Sequence, residues 1–230
     1  MEGVPYFISV EEARDIVNRT PLPRRLEEIP LDDCHGRILA EDLASKVDDP
    51  PFDNSSMDGF ACKHDPEASY PQTYSIQGIA AAAGEAQERV LEPNKAYRIM
   101  TGAPLPKGAD SILQIERCTI DEEHNTVTLL EAPKPHFVRK QGENLKQGTV
   151  SLKAGAVLTP SRVGLCATMG YPTVPVLQPL RIAVLSTGDE LKQPGEELVL
   201  GEVYESNSYG LAGLVRWMGH EAIRYEAVND

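Results

Sequence analysis

The first periodic segment of the chain predicts an amphipathic helix. Ser9 and Glu12 have the spacing of a capping box, in which each side chain bonds the backbone N–H of the other at a helix start. Apolar residues then recur at the three- and four-residue spacing of one helix face, at Val10, Ala13, Ile16 and Val17. Pro21 and Pro23 follow, and because proline cannot continue a helix interior, we expect the helix to end before them.

The segments that follow favour strands. Gly36–Leu43 (GRILAEDL) is rich in apolar residues and predicts one strand. From about residue 47 to 148, short apolar runs alternate with turns containing Pro, Gly or Asn, which is typical of a small β-rich module. The alanine run at 80–83 is bracketed by glycines, so we expect a loop or edge strand there rather than a helix. The predicted strands of this module are Tyr97–Met100, Ile112–Ile115 and Thr126–Leu130.

Helical signals return after the β-rich stretch. Thr159 is suited to the N-cap, Pro160 to the first helical position, and Gly170 to the position just past the end. The buried face of this helix is predicted to contain Leu165, Cys166 and Met169. Residues 171–179 (YPTVPVLQP) are rich in stiff residues and predict an extended linker.

The last part of the chain has the pattern of a βαβ unit. Arg181–Thr187 is an unbroken apolar run, as expected of a parallel strand buried on both faces. After a long loop at 188–205, Asn207 is suited to the N-cap of a helix that ends at Gly219. Residues 222–228 predict the next parallel strand, joined by a right-handed crossover. The apolar face of the helix is predicted at Leu211, Leu214, Val215 and Met218.

These elements together predict a mixed α/β, multi-domain fold. Residues 1–46 and 149–178 would form one α+β module, with the β-rich module at 47–148 inserted into it. Residues 179–230 would begin a parallel α/β domain. Two strands and one helix cannot complete a doubly wound sheet, so we expect this domain to be truncated in the chain.

Composition narrows the classes of function. The 230 residues contain 22 Lys and Arg against 35 Asp and Glu, a formal net charge of -13. Such a surface repels a phosphate backbone, so we expect no nucleic-acid partner. The first residues lack the basic and apolar regions of a signal peptide, and no apolar run reaches membrane-spanning length. Because the four cysteines are scattered, we expect reduced thiols and a cytoplasmic protein.

Acidic and hydroxyl side chains follow both predicted parallel strands. Ser186-Thr187-Gly188-Asp189-Glu190 leaves the first strand and Asn229-Asp230 leaves the second. Ligands of open parallel sheets bind outside the carboxyl ends of the strands, so these side chains are expected near one site. Their oxygens suit a hard cation such as Mg²⁺. The alternative, that Asp and Gly simply form the turn, stays open at this point.

The β-rich module contributes three further candidate loops. Residues 52–59 (FDNSSMDG) are dense in short polar side chains and end in a predicted Asp-Gly turn. Residues 98–104 (RIMTGAP) leave a strand through a Gly-Pro loop, and residues 139–144 (RKQGEN) place two cations beside a glycine. Arginine and lysine at such positions suit phosphate or another oxyanion. Taken singly, the three loops are better explained without a function, as a hairpin turn, a strand end and a solvated charge pair respectively.

Taken in order, PPFDNSSMDGFA, RIMTGAPLPKGAD, RKQGEN and LSTGDEL resemble the consecutive signatures of the MoeA family, the molybdopterin molybdenumtransferases. The eukaryotic counterparts of this family include the E domain of gephyrin and the corresponding plant domain. The resemblance extends over essentially all 230 residues with the spacing intact.

The resemblance implies insertion of molybdate into adenylylated molybdopterin. AMP is released, the metal becomes bound to the dithiolene sulfurs of the pterin, and a divalent cation, usually Mg²⁺, is required. The resemblance also implies an elongated, multi-domain homodimer, in which residues 1–46 and 149–178 form the elongated linker and dimerisation module. Its site would lie between the β-rich domain of one subunit and the MogA-like α/β domain of the other. Adenylylated molybdopterin and molybdate are therefore the expected partners, with further contacts to other proteins of molybdenum-cofactor biosynthesis and none to a membrane.

Individual residues match the functional positions of the family. Asp58 and Thr101 match the aspartate of the MDG motif and the threonine of the TGAP loop, and we expect them to close the site. Glu190 and Asp230 match the carboxylates that follow the two parallel strands, and we expect them to hold the cation. Arg139 is expected to steady an anion. The remaining candidates for substrate or anion binding are Lys140, Ser186 and Thr187.

The chain also departs from the family pattern. Asn144 stands where many relatives carry Asp, and Lys140-Gln141 replaces a more arginine-rich stretch. Relatives continue past Asp230 with further loops and a final β-domain. Two alternatives to the enzyme follow: a gephyrin-like scaffold or interaction module, and a catalytically inert fragment that still dimerises or binds anions weakly.

Overall fold

The computed structural model describes residues 8–22, 24–82 and 89–228. Within them the helices and strands are, in chain order, α1 (Val10–Arg19), β1 (Leu26–Pro30), β2 (Leu43–Ala44), β3 (Asn54–Ser55), β4 (Gly59–Cys62), β5 (Gln72–Ala80), β6 (Lys95–Ile99), β7 (Ser111–Gln114), β8 (Cys118–Asp121), β9 (Thr126–Leu129), β10 (Val138–Arg139), β11 (Val150–Leu152), α2 (Pro160–Thr168), β12 (Thr173–Leu177), β13 (Arg181–Val184), β14 (Leu191–Lys192), β15 (Val203–Tyr204), α3 (Asn207–Trp217) and β16 (Glu221–Arg224). Short 3₁₀ turns occur at Leu31–Asp33, Ile115–Arg117 and Pro135–Phe137. In the part of the chain that is described, no helix is both long and apolar enough to span a membrane.

The chain divides into two compact units. One consists of residues 42–153 and 164–171, and the other of residues 1–41, 154–163 and 172–230. The predicted three-module division and its boundaries stay a prediction.

The first helix has the predicted capping box. The Glu12 N–H donates to Ser9 Oγ at 3.1 Å, and the Ser9 N–H donates to Glu12 Oε2 at 2.8 Å. The helix ends at Arg19, where the Thr20 N–H donates to the Ile16 carbonyl at 3.0 Å. The prediction of this helix and of its end before Pro21 is confirmed, while Pro23 lies outside the described residues.

A six-stranded mixed sheet dominates the unit that contains residues 42–153. Its strand order is β7-β4-β6-β5-β9-β8, with β5 and β6 parallel and the other neighbours antiparallel. All four residues of β4 are buried because apolar side chains cover both faces of the sheet. One face packs around Phe60, Cys62 and Leu113, and the other around Ala61, Ile99 and Ile112.

The strand predictions for this β-rich module are largely confirmed. β6, β7 and β9 match the three predicted apolar runs to within two residues at each end. Ala80 closes β5 and residues 81–82 leave it, in agreement with the predicted loop or edge strand, while Ala83 lies outside the described residues. The expected Asp-Gly turn is wrong, because Gly59 instead opens the buried strand β4.

Two predictions about the other unit are corrected. Residues 171–179 are extended but are not a free linker, because β12 pairs antiparallel with β1 and its Val174 and Val176 are fully buried. Gly36–Leu43 does not form one strand. Ile38 bridges Val157 and Leu39 bridges Val176, so this segment passes from one partner to another instead of running along either.

The second predicted helix is confirmed as α2. It begins at Pro160, and Gly170 lies just past its end with a φ of +85°. The Tyr171 N–H donates to the Cys166 carbonyl at 3.0 Å, which satisfies a carbonyl of the last turn. Cys166 and Met169 are fully buried, as predicted for this face.

The βαβ pattern is also present, with three corrections. β13 and β16 are parallel and α3 lies between them in sequence, as predicted. Val184 is buried but Ala183 and Leu185 are exposed, so within the described residues only one face of β13 is covered. The predicted 188–205 loop contains a second parallel pair, β14 with β15.

The third correction concerns the face of α3 that packs. Ser208 and Ala212 are its buried residues, while Leu211 and Leu214 are about half exposed, at 52% and 50%. The side chains of Ser208 and Ala212 are small and lie one helical turn apart, so they allow α3 to lie close to the strands. The predicted apolar stripe therefore faces outward in the described part of the chain.

Candidate functional site

Three of the predicted loops meet beside the six-stranded sheet. β3 pairs antiparallel with β10, which places Asn54 opposite Arg139. On the other side of β3, the Gly102 N–H donates to the Ser55 carbonyl at 2.8 Å and the Ser55 N–H donates to the Ala103 carbonyl at 3.1 Å. The segments at 52–59, 98–104 and 139–144 thus form one hydrogen-bonded cluster, although the paired residues Asn54 and Arg139 are 85 positions apart in sequence.

The apolar core below fixes this cluster in place. Ala103 from the TGAP loop and Val138 from β10 pack with Ile99 and Ile112 in one buried group. The 98–104 and 139–144 loops are therefore each anchored by a residue whose side chain lies inside the core. Loops anchored in this way hold the polar residues that follow them in fixed positions.

Asp58 and Thr101 form the central polar pair of the cluster. Asp58 Oδ1 accepts hydrogen bonds from the Thr101 N–H at 2.7 Å and from Thr101 Oγ1 at 2.8 Å. The backbone hydrogen bond has the largest effect on the pKa of Asp58, and together with the side-chain bond it holds this pKa below its usual value. The nearby Arg98 charge acts in the same direction. Both residues are exposed, so an ionised carboxylate and a hydroxyl are accessible to a ligand at neutral pH.

Two buried polar atoms beside this pair have no hydrogen-bond partner among the described residues. They are Asn54 Oδ1, on a residue that is 6% exposed, and Arg98 Nε. Buried polar groups without partners are rare in native structures. Sequence reasoning quoted both residues within their motifs but did not select them, because their burial is visible only in the fold.

The 139–144 loop is held largely by carboxylates. Lys140 Nζ donates to Asp53 Oδ2 at 2.8 Å, and the Gln141 N–H donates to Asp53 Oδ1 at 2.8 Å. Burial raises the pKa of Asp53, but these bonds and the lysine charge outweigh it, so the pKa lies below its usual value. Arg139 Nε lies 3.5 Å from Glu143 Oε1, and the arginine side chain is 41% exposed. Of the two predicted anion-binding cations, Lys140 is thus engaged closely by a carboxylate and Arg139 only weakly.

The other predicted site residues lie in the unit that contains β13 and α3. Ser186 Oγ donates to Glu205 Oε1 at 2.9 Å, and Thr187 forms a parallel bridge with Val228. The Glu190 carboxylate folds back over Gly188, whose φ is +144°. A Cβ at position 188 would lie 2.7 Å from Glu190 Oε2, so only glycine leaves room for this conformation.

The sequence predicts a cation held by Glu190 and Asp230, and Glu190 is the one of these two that the structure describes. Asp230, the second predicted ligand, lies outside the described residues. Among the residues that are described, no group of three His, Cys, Asp or Glu side chains could hold a metal ion. Glu190, Ser186 and Thr187 carry oxygen donors, the type that Mg²⁺ prefers, and among these three residues Glu190 is the carboxylate.

Sequence reasoning also missed Glu205 and Arg224. Glu205 is 2% exposed, and Arg224 Nη1 lies 3.6 Å from its Oε2. The available signal was an acidic residue two positions before Asn207, the predicted helix N-cap, where a carboxylate can satisfy free N–H groups.

The chain thus combines a mixed sheet that fixes three polar loops with a parallel βαβ segment, which defines a protein of the mixed α/β class. The family model for the MoeA N-terminal region (domain I and II) matches residues 8–170. The chain therefore belongs to the MoeA family.

Named relatives and solved structures agree with this assignment. The molybdopterin molybdenumtransferase of Haemophilus influenzae is 37% identical over 220 residues, which are 94% of this chain and 54% of that protein. Molybdopterin molybdenumtransferase 2 of Mycobacterium tuberculosis is 36% identical over 225 residues, 96% of this chain and 55% of that protein. The chain thus spans about half the length of the curated relatives it matches.

Two solved structures of a molybdopterin biosynthesis MoeA protein from Pyrococcus horikoshii have the same fold. Their TM-scores are 0.83 and 0.79, at 29% and 30% identity. The matches cover 98% and 90% of this chain, and 58% and 55% of those chains.

Proposed function

We propose that the protein acts in molybdenum cofactor biosynthesis, in the transfer of molybdenum from molybdate to adenylylated molybdopterin with release of AMP. The observation that carries this proposal is the Asp58–Thr101 pair, with both hydrogen bonds to one carboxylate oxygen and both side chains exposed. Relatives named molybdopterin molybdenumtransferase align with this segment over 94% and 96% of the chain.

Asp58 is proposed to act as an ionised carboxylate. Its lowered pKa keeps it charged throughout the neutral range, so it is a poor proton donor there. A fixed charge of this kind orients a cationic or hydrogen-bond-donating group of the substrate. The Thr101 bonds occupy one carboxylate oxygen and so hold the carboxylate in one orientation.

Arg139 is proposed to steady an anion. Its side chain is 41% exposed and its contact with Glu143 is long, so the guanidinium can turn toward an oxyanion such as molybdate or phosphate. Lys140 is the weaker candidate, because it already neutralises Asp53. Ser186 and Thr187 are proposed to contribute hydroxyl groups at the strand end.

Mg²⁺ is the proposed cofactor, with Glu190 and Asp230 as its carboxylate ligands. When bound, the ion would neutralise charge on phosphate oxygens of the substrate. Glu190 is exposed and its carboxylate is held beside the backbone of Gly188, which leaves it accessible at the strand end. A multi-domain homodimer with a MogA-like domain and a cytoplasmic location are further parts of this proposal, and they rest on the sequence and on the family resemblance.

The proposal is tested by the molybdate-dependent loss of adenylylated molybdopterin. Turnover is measured with and without molybdate and Mg²⁺, for the 230-residue chain and for the longest product of its reading frame. We expect molybdate-dependent loss and stoichiometric AMP in at least the longer protein, and a loss of both in Asp58→Asn. If both proteins consume adenylylated molybdopterin equally fast with and without molybdate, the proposal is refuted.

A further inference from the structure

Glu205 is a buried carboxylate to which the proposed reaction assigns no role. It is 2% exposed and stands between β15 and α3. Its Oε1 accepts hydrogen bonds from Ser186 Oγ at 2.9 Å and from the Ser208 N–H at 2.7 Å, and its Oε2 accepts one from Ser208 Oγ. A buried charge is costly unless it is bonded in this way.

An opposite charge completes the arrangement. Arg224 Nη1 lies 3.6 Å from Glu205 Oε2 and donates to Ser208 Oγ at 3.2 Å. The same guanidinium lies over the ring of Tyr209 at 3.6 Å and donates to Gln193 Oε1 at 3.4 Å. Burial raises the pKa of Glu205, but the Ser208 and Ser186 bonds and the arginine charge outweigh it, so this pKa lies below its usual value.

This carboxylate connects three separate segments of the unit. Ser186 belongs to the loop after β13, Ser208 to the first turn of α3, and Arg224 to the end of β16. The residues that follow Ser186 include Thr187 and Glu190, which are strand-end candidates of the proposed site. The start of α3 is also where a phosphate would bind in many parallel α/β proteins, and here Glu205 occupies that position.

We propose that Glu205 is a positioning residue: its carboxylate fixes Ser186, and with it the turn that carries Thr187 and Glu190, against the start of α3 and Arg224. It also fills the anion position at that helix terminus, so the strand end is left to a cation. The cation part of this inference rests on the proposed function, whereas the fixing of the turn does not.

The decisive experiment compares Glu205→Gln and Glu205→Ala with Glu197→Gln, a control at an exposed carboxylate in the same loop. Amide hydrogen exchange is followed in the 186–190 turn and, for reference, in β1 and β12. We expect exchange in the turn to be about tenfold faster in both Glu205 variants and unchanged in the control, with β1 and β12 unaffected. Equal exchange in the turn of the wild type and Glu205→Gln overturns the proposal, and so does a uniform rise across the unit.

Chemical rescue gives a second readout. Glu205→Ala leaves the Ser186, Ser208 and Arg224 donors around the space of a carboxylate, so acetate is expected to slow exchange in the turn and chloride is not. If acetate does not slow exchange in the turn of Glu205→Ala, the claim that Glu205 fills an anion position at the helix terminus is contradicted. The isosteric Glu205→Gln keeps the test valid if the alanine variant does not fold.

Turnover separates this inference from the proposed function. In the active protein, the Mg²⁺ concentration for half-maximal turnover is expected to rise about tenfold in Glu205→Gln, the low end of the cost of losing an outer-shell partner. An unchanged Mg²⁺ requirement overturns the cation part. If the wild type shows no molybdate-dependent turnover, the proposed function fails, and the exchange measurements still decide whether Glu205 positions the turn.

Discussion

Asn144 Nδ2 donates a hydrogen bond to Asp49 Oδ2 at 3.0 Å. The backbone carbonyl of the same aspartate accepts the N–H groups of Asn144 and Leu145 at 3.0 and 3.1 Å. Asp49 therefore anchors the end of the 139–144 loop through both its side chain and its backbone. The amide at position 144 suits this contact because it donates a proton, which a carboxylate at the same position could do only when protonated.

Asn144→Asp is accordingly expected to destabilise the protein at neutral pH. Two carboxylates at that separation cannot both ionise freely, so one of them acquires a raised pKa in the folded state. A carboxyl group whose pKa is raised in the folded state destabilises the fold at pH values above its pKa in the unfolded state. This destabilisation decreases as the pH falls through the pKa of the folded state. The deficit relative to the wild type, measured by denaturant unfolding, should thus be largest near pH 7 and shrink as the pH falls toward 4. A deficit that is constant with pH would show that the two side chains do not interact.

The Asp58–Thr101 pair predicts a difference between two substitutions at Thr101. Thr101→Val removes the Oγ1 donor but keeps the N–H bond, whereas Thr101→Ser keeps both. The pKa of Asp58, lowered in the wild type, should rise toward its usual value in Thr101→Val. Turnover is expected to fall roughly tenfold, the effect of one ordinary hydrogen bond, and its acid limb to move to higher pH. Equal profiles for the valine and serine variants would contradict a role for the hydroxyl.

Gly59 shows why the glycine of the MDG motif is required. A Cβ at this position would lie 2.0 Å from the Leu113 carbonyl oxygen and 2.9 Å from its carbon, because β4 and β7 pass closely there. Gly59→Ala is therefore expected to cost about 3 kcal/mol or more of unfolding free energy. Gly164→Ala is the matched control, since nothing lies within 4 Å of its Cβ inside α2, and it should gain about 0.5–1 kcal/mol. Chemical denaturation measures both, and a stable Gly59→Ala protein would refute the β4–β7 register.

The sequence predicts those structural features that depend on residues close together in the chain, and fails for those that depend on contacts between distant residues. The capping box of α1, the glycine that follows the end of α2 and the parallel pairing of β13 with β16 follow from local patterns, and all are present. Gly59 was misinterpreted because an Asp-Gly pair favours a turn locally, while the approach of Leu113 from 54 positions away decides its role. Residues 171–179 were assigned to a linker for the same reason, since the pairing of β12 with β1 has no local signal.

In the candidate site, too, local motifs identified some residues, while contacts between distant segments could be seen only in the fold. The motifs identified Asp58 and Thr101, and the fold joins them by two hydrogen bonds. No pattern showed that Lys140 would be engaged by Asp53, or that Glu205 would be buried beneath Ser186. Both contacts depend on charge compensation between distant segments, and periodicity and spacing do not report that.

Gly188 provides a test of the strand-end carboxylate that leaves the carboxylate itself unchanged. In Gly188→Ala the new Cβ would lie 2.7 and 2.9 Å from the two carboxylate oxygens of Glu190. Because these atoms are the end of a flexible side chain, the carboxylate should move while the fold persists. The φ of +144° adds strain of about 1–2 kcal/mol.

Gly195→Ala separates the displacement from the strain. Gly195 has a φ of +100° and nothing within 4 Å of its Cβ, so it carries backbone strain without displacing a side chain. We expect the two variants to lose similar unfolding free energy, and only Gly188→Ala to need a higher Mg²⁺ concentration for half-maximal turnover. If both variants keep the wild-type Mg²⁺ requirement, the position of the Glu190 carboxylate does not matter to the cation. In that case Glu190 would be an ordinary turn residue, as an acidic loop after a strand often is.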